Sequence, residues 1–294
     1  MSVSSKLFVG ITTWNSELLL PLCLDSVRRT APAAEVVVLD NESTDATQEI
    51  ARSFGARVLS WSCGQADALN ALAAISTRPY TALIHADVVF VSPRWVETVV
   101  ARLNGDVALV SPEDIGCGPY TRPWGKGMPE SSFMCFVTAR MEALKVRRWF
   151  RRFGIPYYRK GVDFYGDHIT YNLPRRLMEA GLDWVPMGVH VSEHLREPFY
   201  VPDFPLQHWL PQFGHLRYGL GNFYSLDGVV THYHNWYDRR VDKTKQFDPR
   251  ETLEINGGGV PVAFLKAYTE NFMNDYAQGK LVLPDVSQFA SAQS

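Results

Sequence analysis

Short apolar runs alternate with segments of helical periodicity through the first 110 residues of the chain. The apolar runs are rich in β-branched residues and end at polar or turn residues, which is typical of buried strands. The alternation predicts an α/β fold with a mostly parallel sheet and helices on both faces. The predicted strands are 6–13, 35–39, 57–60, 80–85 and 107–111, and the predicted helices are 18–29, 45–54, 66–75 and 93–103.

The pattern changes after residue 111. Residues 115–130 are rich in glycine and proline and predict a long loop, a kind of segment that is often functional. A strand at 131–138 and helices at 173–180, 204–218 and 261–278 are expected beyond it. We therefore predict one α/β domain over residues 1–200. Residues 201–294 are expected to form a helical, aromatic-rich C-terminal extension that packs on it.

Polar side chains follow two neighbouring strands of the predicted sheet. The run 36–39 is apolar and ends in Asp40 and Asn41, and the first strand ends in Thr13 and Asn15. Open α/β sheets bind ligands outside the carboxyl ends of their strands. Because both polar ends lie at that edge, a nucleotide pocket is the working hypothesis.

Composition narrows the class of protein. Hydrophobic residues make up 46% and charged residues 20% of the 294, which fits a soluble globular protein. The net charge of −2 gives no strong signal for nucleic acid. The cysteines lack C-x-x-C spacing, so a zinc knuckle or redox pair is disfavoured. No run reaches the about 18 apolar residues of a transmembrane segment, and a cytoplasmic location is expected.

Four motifs in order resemble those of the family-2 glycosyltransferases, which have the GT-A fold. The first strand ends in Thr13-Trp14-Asn15, in place of the family's T-x-N. Residues 38–45 read V-L-D-N-E-S-T-D, in place of V-V-D-D-G-S-T-D, and residues 64–70 resemble G-x-x-x-A-x-N. His85-Ala86-Asp87 stands where the family has its metal-binding D-x-D. The resemblance implies a donor half over about 1–112 and an acceptor half over about 113–200.

The resemblance implies a divalent cation, Mn²⁺ or Mg²⁺, beside the diphosphate of a sugar donor. The expected metal ligands are Asp87, His85 and a downstream histidine, His194, with His190 as the alternative. A neutral imidazole ligates Mn²⁺ but suits Mg²⁺ poorly. His85 is otherwise explained as an inward-facing strand residue, and Asp87 as a turn or capping acid.

Donor recognition is expected at the ends of the first strands. Asp40 resembles the family acid that accepts a hydrogen bond from the base, and a carboxylate suits the N–H of uracil or thymine. The expected partner is therefore a UDP- or dTDP-sugar. The other residues expected at this cofactor site are Thr13, Asn15, Asn41, Asp67, Asn70, His85 and Ala86. Asp67 is alternatively an exposed helix acid.

Transfer with inversion needs a general base beside the acceptor hydroxyl. The family places it in an E-D pair that opens a helix before R-L-x-x-A-G, and the chain has Asp167-His168 before residues 176–181. Asp167 is the predicted base, with Asp163 as the alternative, and His168 is expected to orient the base or contact the diphosphate. The acceptor is unknown, with a saccharide or a protein as the expected classes, and a homodimer is left open.

Two histidines lie beyond the region of resemblance. The alternation around residues 231–234 puts His232 and His234 on one face of a strand, where they could share a metal, hold a phosphate or line a polar edge.

Two other functions compete with a glycosyltransferase. A sugar nucleotidyltransferase needs a glycine-rich loop after the first strand. No glycine follows Gly10 there, which disfavours this function. A non-catalytic binding module would explain why the first acid of D-x-D is missing.

Overall fold

The computed structural model describes residues 2–114, 128–144, 150, 153–159, 162–190, 218, 221–235, 252–255 and 258–286. At 114, 153–159, 162–168, 252–255 and 258–266 the description covers the backbone alone. The strands are β1 Leu7–Thr13, β2 Glu35–Asp40, β3 Arg57–Ser60, β4 Tyr80–His85, β5 Val88–Phe90, β6 Val107–Asp114, β7 Met128–Pro129, β8 Phe133–Val137, β9 Phe153–Arg159, β10 Val162–His168, β11 Asp183–His190, β12 Asn222–Leu226, β13 Val229–His234, β14 Thr252–Ile255 and β15 Gly258–Pro261. The helices are α1 Leu20–Thr30, α2 Thr47–Ser53, α3 Gln65–Ile75, α4 Trp95–Arg102, α5 Thr138–Ala143, α6 Leu173–Glu179 and α7 Val262–Ala277.

A large mixed sheet organises the described part of the chain. Its strand order is β3-β2-β1-β4-β8-β6-β11-β12-β13-β5, and β7 pairs with β6 at the side. The strands β3, β2, β1 and β4 are mutually parallel, as are β6 and β11, while β8 runs antiparallel between the two groups. Most strands therefore share one direction, which confirms the mostly parallel α/β sheet.

The sheet curves back on itself at the junction of β4 and β5. Residues 86 and 87 alone separate the two strands, yet β5 pairs with β13 at the far end of the strand order. Backbone hydrogen bonds hold this junction from both sides. The His85 N–H donates to the Ser132 carbonyl at 3.0 Å, and the Asn235 N–H donates to the Asp87 carbonyl at 3.1 Å. The His-x-Asp motif therefore lies where the internal strand β4 runs into β5, the last strand in the strand order.

Helices cover both faces of the sheet, as the alternation along β1 requires. Leu7, Val9 and Ile11 pack in the cluster that includes α1 and α4, whereas Phe8 packs with α3 and α6 on the other face. Gly10 lets α3 approach β1 closely, because a Cβ added there would lie 3.0 Å from the Leu72 Cβ. Both faces of the sheet are thus buried, which explains why β1 is apolar throughout.

A third cluster, the C-terminal aromatic cluster, joins α7 to the hairpin of β12 and β13. Tyr218, Phe223, Tyr233, Phe272 and Tyr276 are its aromatic members. Phe272 stacks on Tyr233 with ring centroids 4.0 Å apart. The aromatic character of the C-terminal part and its terminal helix are therefore confirmed.

The C-terminal part also contains strands, because β12 and β13 continue the central sheet beyond β11. The strand expected around residues 231–234 corresponds to β13. The boundary at residue 200 stays a prediction.

The predicted elements of the first 111 residues agree with the structure to within about two residues at most ends. β5, which is three residues long, was not predicted. The helix expected from residue 45 begins at Thr47, and the Ser43 side chain in the preceding loop bonds Asp40.

The predicted helix 204–218 and most of the predicted loop 115–130 lie outside the described residues. Among the helices that the structure describes, none has the length and apolar character needed to cross a membrane.

Candidate active site

Three buried side chains meet beside the junction of β4 and β5. His85 ends β4, Asp87 precedes β5 and His234 ends β13, and one potential ligand atom from each lies within 4.8 Å of the others. His234 Nε2 lies 3.3 Å from Asp87 Oδ1, and His85 Nδ1 lies 4.0 Å from the same oxygen. The antiparallel register sets His234 opposite Val88, so the pairing of β13 with β5 brings His234 beside Asp87.

Glu130 lies on the other side of His234. Its Oε1 is 3.4 Å from His234 Nδ1, while the Tyr224 hydroxyl donates to its Oε2 at 2.9 Å. The Ser132 hydroxyl also donates to Oε1. The imidazole of His234 is therefore held between two carboxylates, one at each ring nitrogen.

These carboxylates determine the charge of His234. Burial alone would lower the pKa of His234, but the neighbouring Asp87 and Glu130 outweigh it and raise that pKa to about 9. Without a cation, His234 is thus protonated at neutral pH and compensates part of the buried negative charge. A divalent cation at Asp87 would take over this compensation and leave His234 neutral.

His85 has a partner of its own. Its Nε2 is hydrogen-bonded to the side-chain amide of Gln65, the first residue of α3. Its ring meets that of His234 edge to face, with centroids 5.8 Å apart. His85 is buried at the end of β4, and this position brings it into the cluster.

His232 shares a strand face with His234 but has a different role. Its ring stacks on Tyr224 and lies against Phe133, each at a centroid distance of 4.7 Å. Its Nδ1 is hydrogen-bonded to the Thr231 hydroxyl at 2.9 Å. Burial, and then the charge on His234, lowers the pKa of His232 well below its usual value. His232 is thus a neutral core residue next to the site.

The donor residues expected from the sequence lie along the same edge of the sheet. In the parallel registers Asp40 pairs with Thr13 of β1, and Thr12 pairs with His85 of β4. The ends of β2 and β4 are therefore separated by two strand spacings, about 10 Å. Asp40 and the His85–Asp87 turn share one edge, as the sequence predicted.

Asp40 is fully buried, and its carboxylate is already bonded. It accepts hydrogen bonds from the Ser43 N–H at 2.8 Å, from the Ser43 hydroxyl and from the Gln48 amide at 2.7 Å. The Gln48 amide thus occupies a hydrogen-bonding position on this carboxylate. The role of Asp40 as acceptor for a base stays a prediction.

Asn15 and Asn41 tie the loops after the strands together. Asn15 has a positive φ of 47° and accepts a hydrogen bond from the Thr44 N–H at 2.9 Å. Asn41 accepts one from the Cys63 N–H at 2.8 Å. Thr13 differs from both, because its buried hydroxyl has no hydrogen-bond partner among the described residues. Two of these three side chains thus shape the edge, and Thr13 presents a hydroxyl there.

Asp67 and Asn70 are the two residues of α3 that were expected at the donor site. Asn70 bonds the backbone of Phe150 in both directions, donating to its carbonyl at 2.7 Å and accepting from its N–H at 3.1 Å. Asp67 is half-buried in the first turn of the helix. Asn70 therefore anchors the segment at 150, and contact of either residue with a ligand stays a prediction.

The predicted catalytic residues lie in β10, which forms a two-stranded antiparallel ribbon with β9. Asp163 pairs with Tyr158, Asp167 with Gly154 and His168 with Phe153 in the backbone register. The family pattern implies a pair that opens a helix, but α6 begins only at Leu173. Their roles stay predictions.

Of the two downstream histidines predicted as metal ligands, the structure describes His190. His194 lies outside the described residues. His190 ends β11, where its Nε2 is hydrogen-bonded to the Ser225 hydroxyl at 2.6 Å. Burial lowers the pKa of His190. Among the described residues, His190 is not a member of the cluster of His85, Asp87 and His234.

Glu130, Gln65 and Tyr224 surround the cluster but were not among the predicted site residues. Gln65 lies within residues 64–70, which resemble G-x-x-x-A-x-N, and Glu130 is the last residue of the predicted loop 115–130.

Two exposed tryptophans, Trp14 and Trp61, follow the ends of β1 and β3. An aromatic residue directly after a strand was the one signal in the sequence for these two.

The comparisons with known proteins agree with this geometry. The family model for Glycosyl transferase family 2 matches residues 8–166, more than half of the 294 residues. The chain belongs to this family of glycosyltransferases. The resemblance in its motifs is thereby confirmed. No curated protein matches the chain.

Several solved glycosyltransferase structures are similar to this family-2 chain. Glucosyl-3-phosphoglycerate synthase from Mycobacterium tuberculosis, in complex with Mn²⁺, UDP and phosphoglyceric acid, is 17% identical over 63% of this chain and 70% of that one, with a TM-score of 0.45. The mannosyltransferase PcManGT from Pyrobaculum calidifontis, in complex with GDP-Man and Mn²⁺, is 14% identical over 98% and 79%, with a TM-score of 0.48. TarS 1–349 of S. aureus is 17% identical with a TM-score of 0.38, and the match covers 49% of this chain and half of that structure's length.

The burial of His190 predicts that this residue destabilises the folded chain in acid. Its pKa is lowered in the folded chain, whereas an unfolded histidine titrates near 6.5. The unfolded state therefore binds more protons at this residue as the pH falls, and the contribution of His190 to the free energy of unfolding falls with it. We expect His190→Gln to lose less stability than the wild type between pH 7.5 and 5.5 in urea unfolding. Equal losses in both proteins would contradict this.

Proposed function

We propose that the chain transfers a sugar from a UDP- or dTDP-sugar to an acceptor hydroxyl, with inversion and with the help of a divalent cation. The observation that carries the proposal is the meeting of His85, Asp87 and His234 within 4.8 Å at the edge of the sheet. His234 takes the place in this ligand set for which the sequence suggested His194.

The donor set fits a transition metal. Two imidazoles and one carboxylate are ligands that Mn²⁺ accepts, whereas Mg²⁺ prefers oxygen ligands and keeps its water. Two of the similar structures, the synthase from M. tuberculosis and PcManGT, contain Mn²⁺. We therefore assign Mn²⁺ rather than Mg²⁺ as the preferred cation of this site.

The cation supplies neutralisation of the charge that develops on the leaving diphosphate. Asp87, His85 and His234 would hold it, and the buried setting strengthens every electrostatic interaction at this point. The shared edge then allows the nucleoside to extend from the cluster toward β2. Thr13 and Asp40 stand there, with the hydroxyl and carboxylate suited to a pyrimidine.

Asp167 is proposed as the general base that takes the proton of the acceptor hydroxyl, with His168 orienting it. The support for this role is the resemblance of residues 167–181 to the family motif, and Asp163 is the alternative in the same strand. The acceptor stays a saccharide or a protein in this proposal.

Removing the carboxylate of Asp87 should abolish metal-assisted turnover. Loss of several kcal/mol of charge stabilisation corresponds to a fall of about 100-fold or more in rate. We expect Asp87→Ala to lose the release of UDP or dTDP from a panel of UDP- and dTDP-sugars offered with Mn²⁺, while circular dichroism shows a folded protein. Asp106→Ala, at an exposed turn position before β6, is the matched control. An unchanged rate in Asp87→Ala would refute the role of this residue.

His85 should set the preference among metals. Wild-type activity is expected to be about tenfold higher or more with Mn²⁺ than with Mg²⁺, since imidazole ligates Mg²⁺ poorly. His85→Asp replaces the imidazole by an oxygen ligand and should narrow this ratio in initial-rate measurements. A ratio that is the same in both proteins would show that His85 does not ligate the metal.

Asp167→Asn tests the proposed base. We expect kcat to fall by about 100-fold, the scale of lost general-base catalysis, with unchanged binding of UDP in calorimetry. Asp163→Asn is the comparison, because it makes the same change four residues earlier in β10. If only Asp163→Asn is impaired, the base is Asp163.

A further inference from the structure

Glu130 is fixed by the protein at both its backbone and its side chain. Its N–H donates to the Pro112 carbonyl at 2.8 Å, and the Ser111 hydroxyl donates to its carbonyl at 3.0 Å. Tyr224 and Ser132 donate to the two oxygens of its carboxylate. The side chain is 13% exposed. Glu130 therefore has one defined orientation beside His234.

That orientation divides the two nitrogens of His234 between two carboxylates. Nδ1 faces Glu130 at 3.4 Å, and Nε2 faces Asp87 at 3.3 Å. A neutral imidazole carries one N–H and one lone pair, and the partner of one nitrogen decides which atom holds the hydrogen. A carboxylate at Nδ1 keeps the hydrogen there and leaves the lone pair on Nε2.

We propose that Glu130 is a positioning residue for the metal site. It accepts the Nδ1–H of His234 and so turns the Nε2 lone pair toward the cation held by Asp87. Tyr224 holds Glu130 in this position from its second oxygen. The proposal rests on the proposed function for the presence of the cation. It adds Glu130 and Tyr224, neither of which the sequence singled out.

Carboxylate partners behind metal-bound histidines typically contribute about 10- to 100-fold to metal affinity. We therefore expect Glu130→Gln to weaken Mn²⁺ binding by about 10- to 100-fold, measured by electron paramagnetic resonance of free Mn²⁺ in the presence of UDP. At saturating Mn²⁺, kcat should stay within about threefold of the wild type, because the assembled site is the same. The Mn²⁺ concentration for half-activation should rise together with the dissociation constant.

Two further variants sharpen the measurement. Glu179→Gln makes the same change at an exposed position on α6, where Glu179 pairs with Arg175, and should leave Mn²⁺ affinity unchanged. Tyr224→Phe removes only the hydroxyl that holds the second oxygen of Glu130. It should weaken Mn²⁺ binding in the same direction by a smaller factor, and it carries the test if Glu130→Gln does not fold.

The outcomes separate the possible roles of Glu130. A fall in kcat at saturating Mn²⁺ with unchanged Mn²⁺ affinity would make Glu130 a general base and overturn the proposal. A lower melting temperature with unchanged affinity would make it a structural residue and overturn the proposal as well. If the wild type itself binds no Mn²⁺, the proposed function fails and this inference fails with it. Equal binding by wild type and Glu130→Gln refutes this inference alone.

Discussion

The antiparallel pairing of β5 with β13 is the constraint on which the site depends. It joins the far edge of the sheet to the strand that carries His85 and Asp87, and it sets His234 opposite Val88. Side chains alternate along a strand, so a slip of one residue would turn His234 to the opposite face and bring Tyr233 beside Asp87. The Asn235 N–H, bonded to the Asp87 carbonyl, fixes this register next to the cluster.

The electrostatics of the cluster follow from this pairing of β5 with β13. Buried carboxylates are costly unless they are paired, and Asp87 and Glu130 share His234 as their positive partner. The raised pKa of His234, about 9, expresses this compensation. The same arrangement suits a cation, because an ion at Asp87 replaces the charge of the proton and leaves an imidazole lone pair as a ligand.

The C-terminal aromatic cluster packs on the face of β13 opposite His234. Tyr233 alternates with His232 and His234 along β13, so its side chain points to the opposite face and stacks on Phe272 of α7. The Tyr233 hydroxyl also donates to the Tyr218 carbonyl at 2.8 Å. The segment after β11 is thus not a mere appendage of the catalytic fold, because the strand that it anchors contributes His234 to the cluster.

The sequence by itself determined the alternation of strands and helices, the glycosyltransferase family and the polar ends of the first strands. These features are local, because the period of apolar residues and the residues after a strand can be recognised within about ten positions. Thr13, Asp40, His85 and Asp87 therefore lie at the predicted edge. Only the tertiary structure decided that His234, and not its neighbour His232, joins Asp87, and that Glu130 stands behind it. Those choices depend on which strands pair in the curved sheet and in which register, and no local pattern in the chain encodes that pairing.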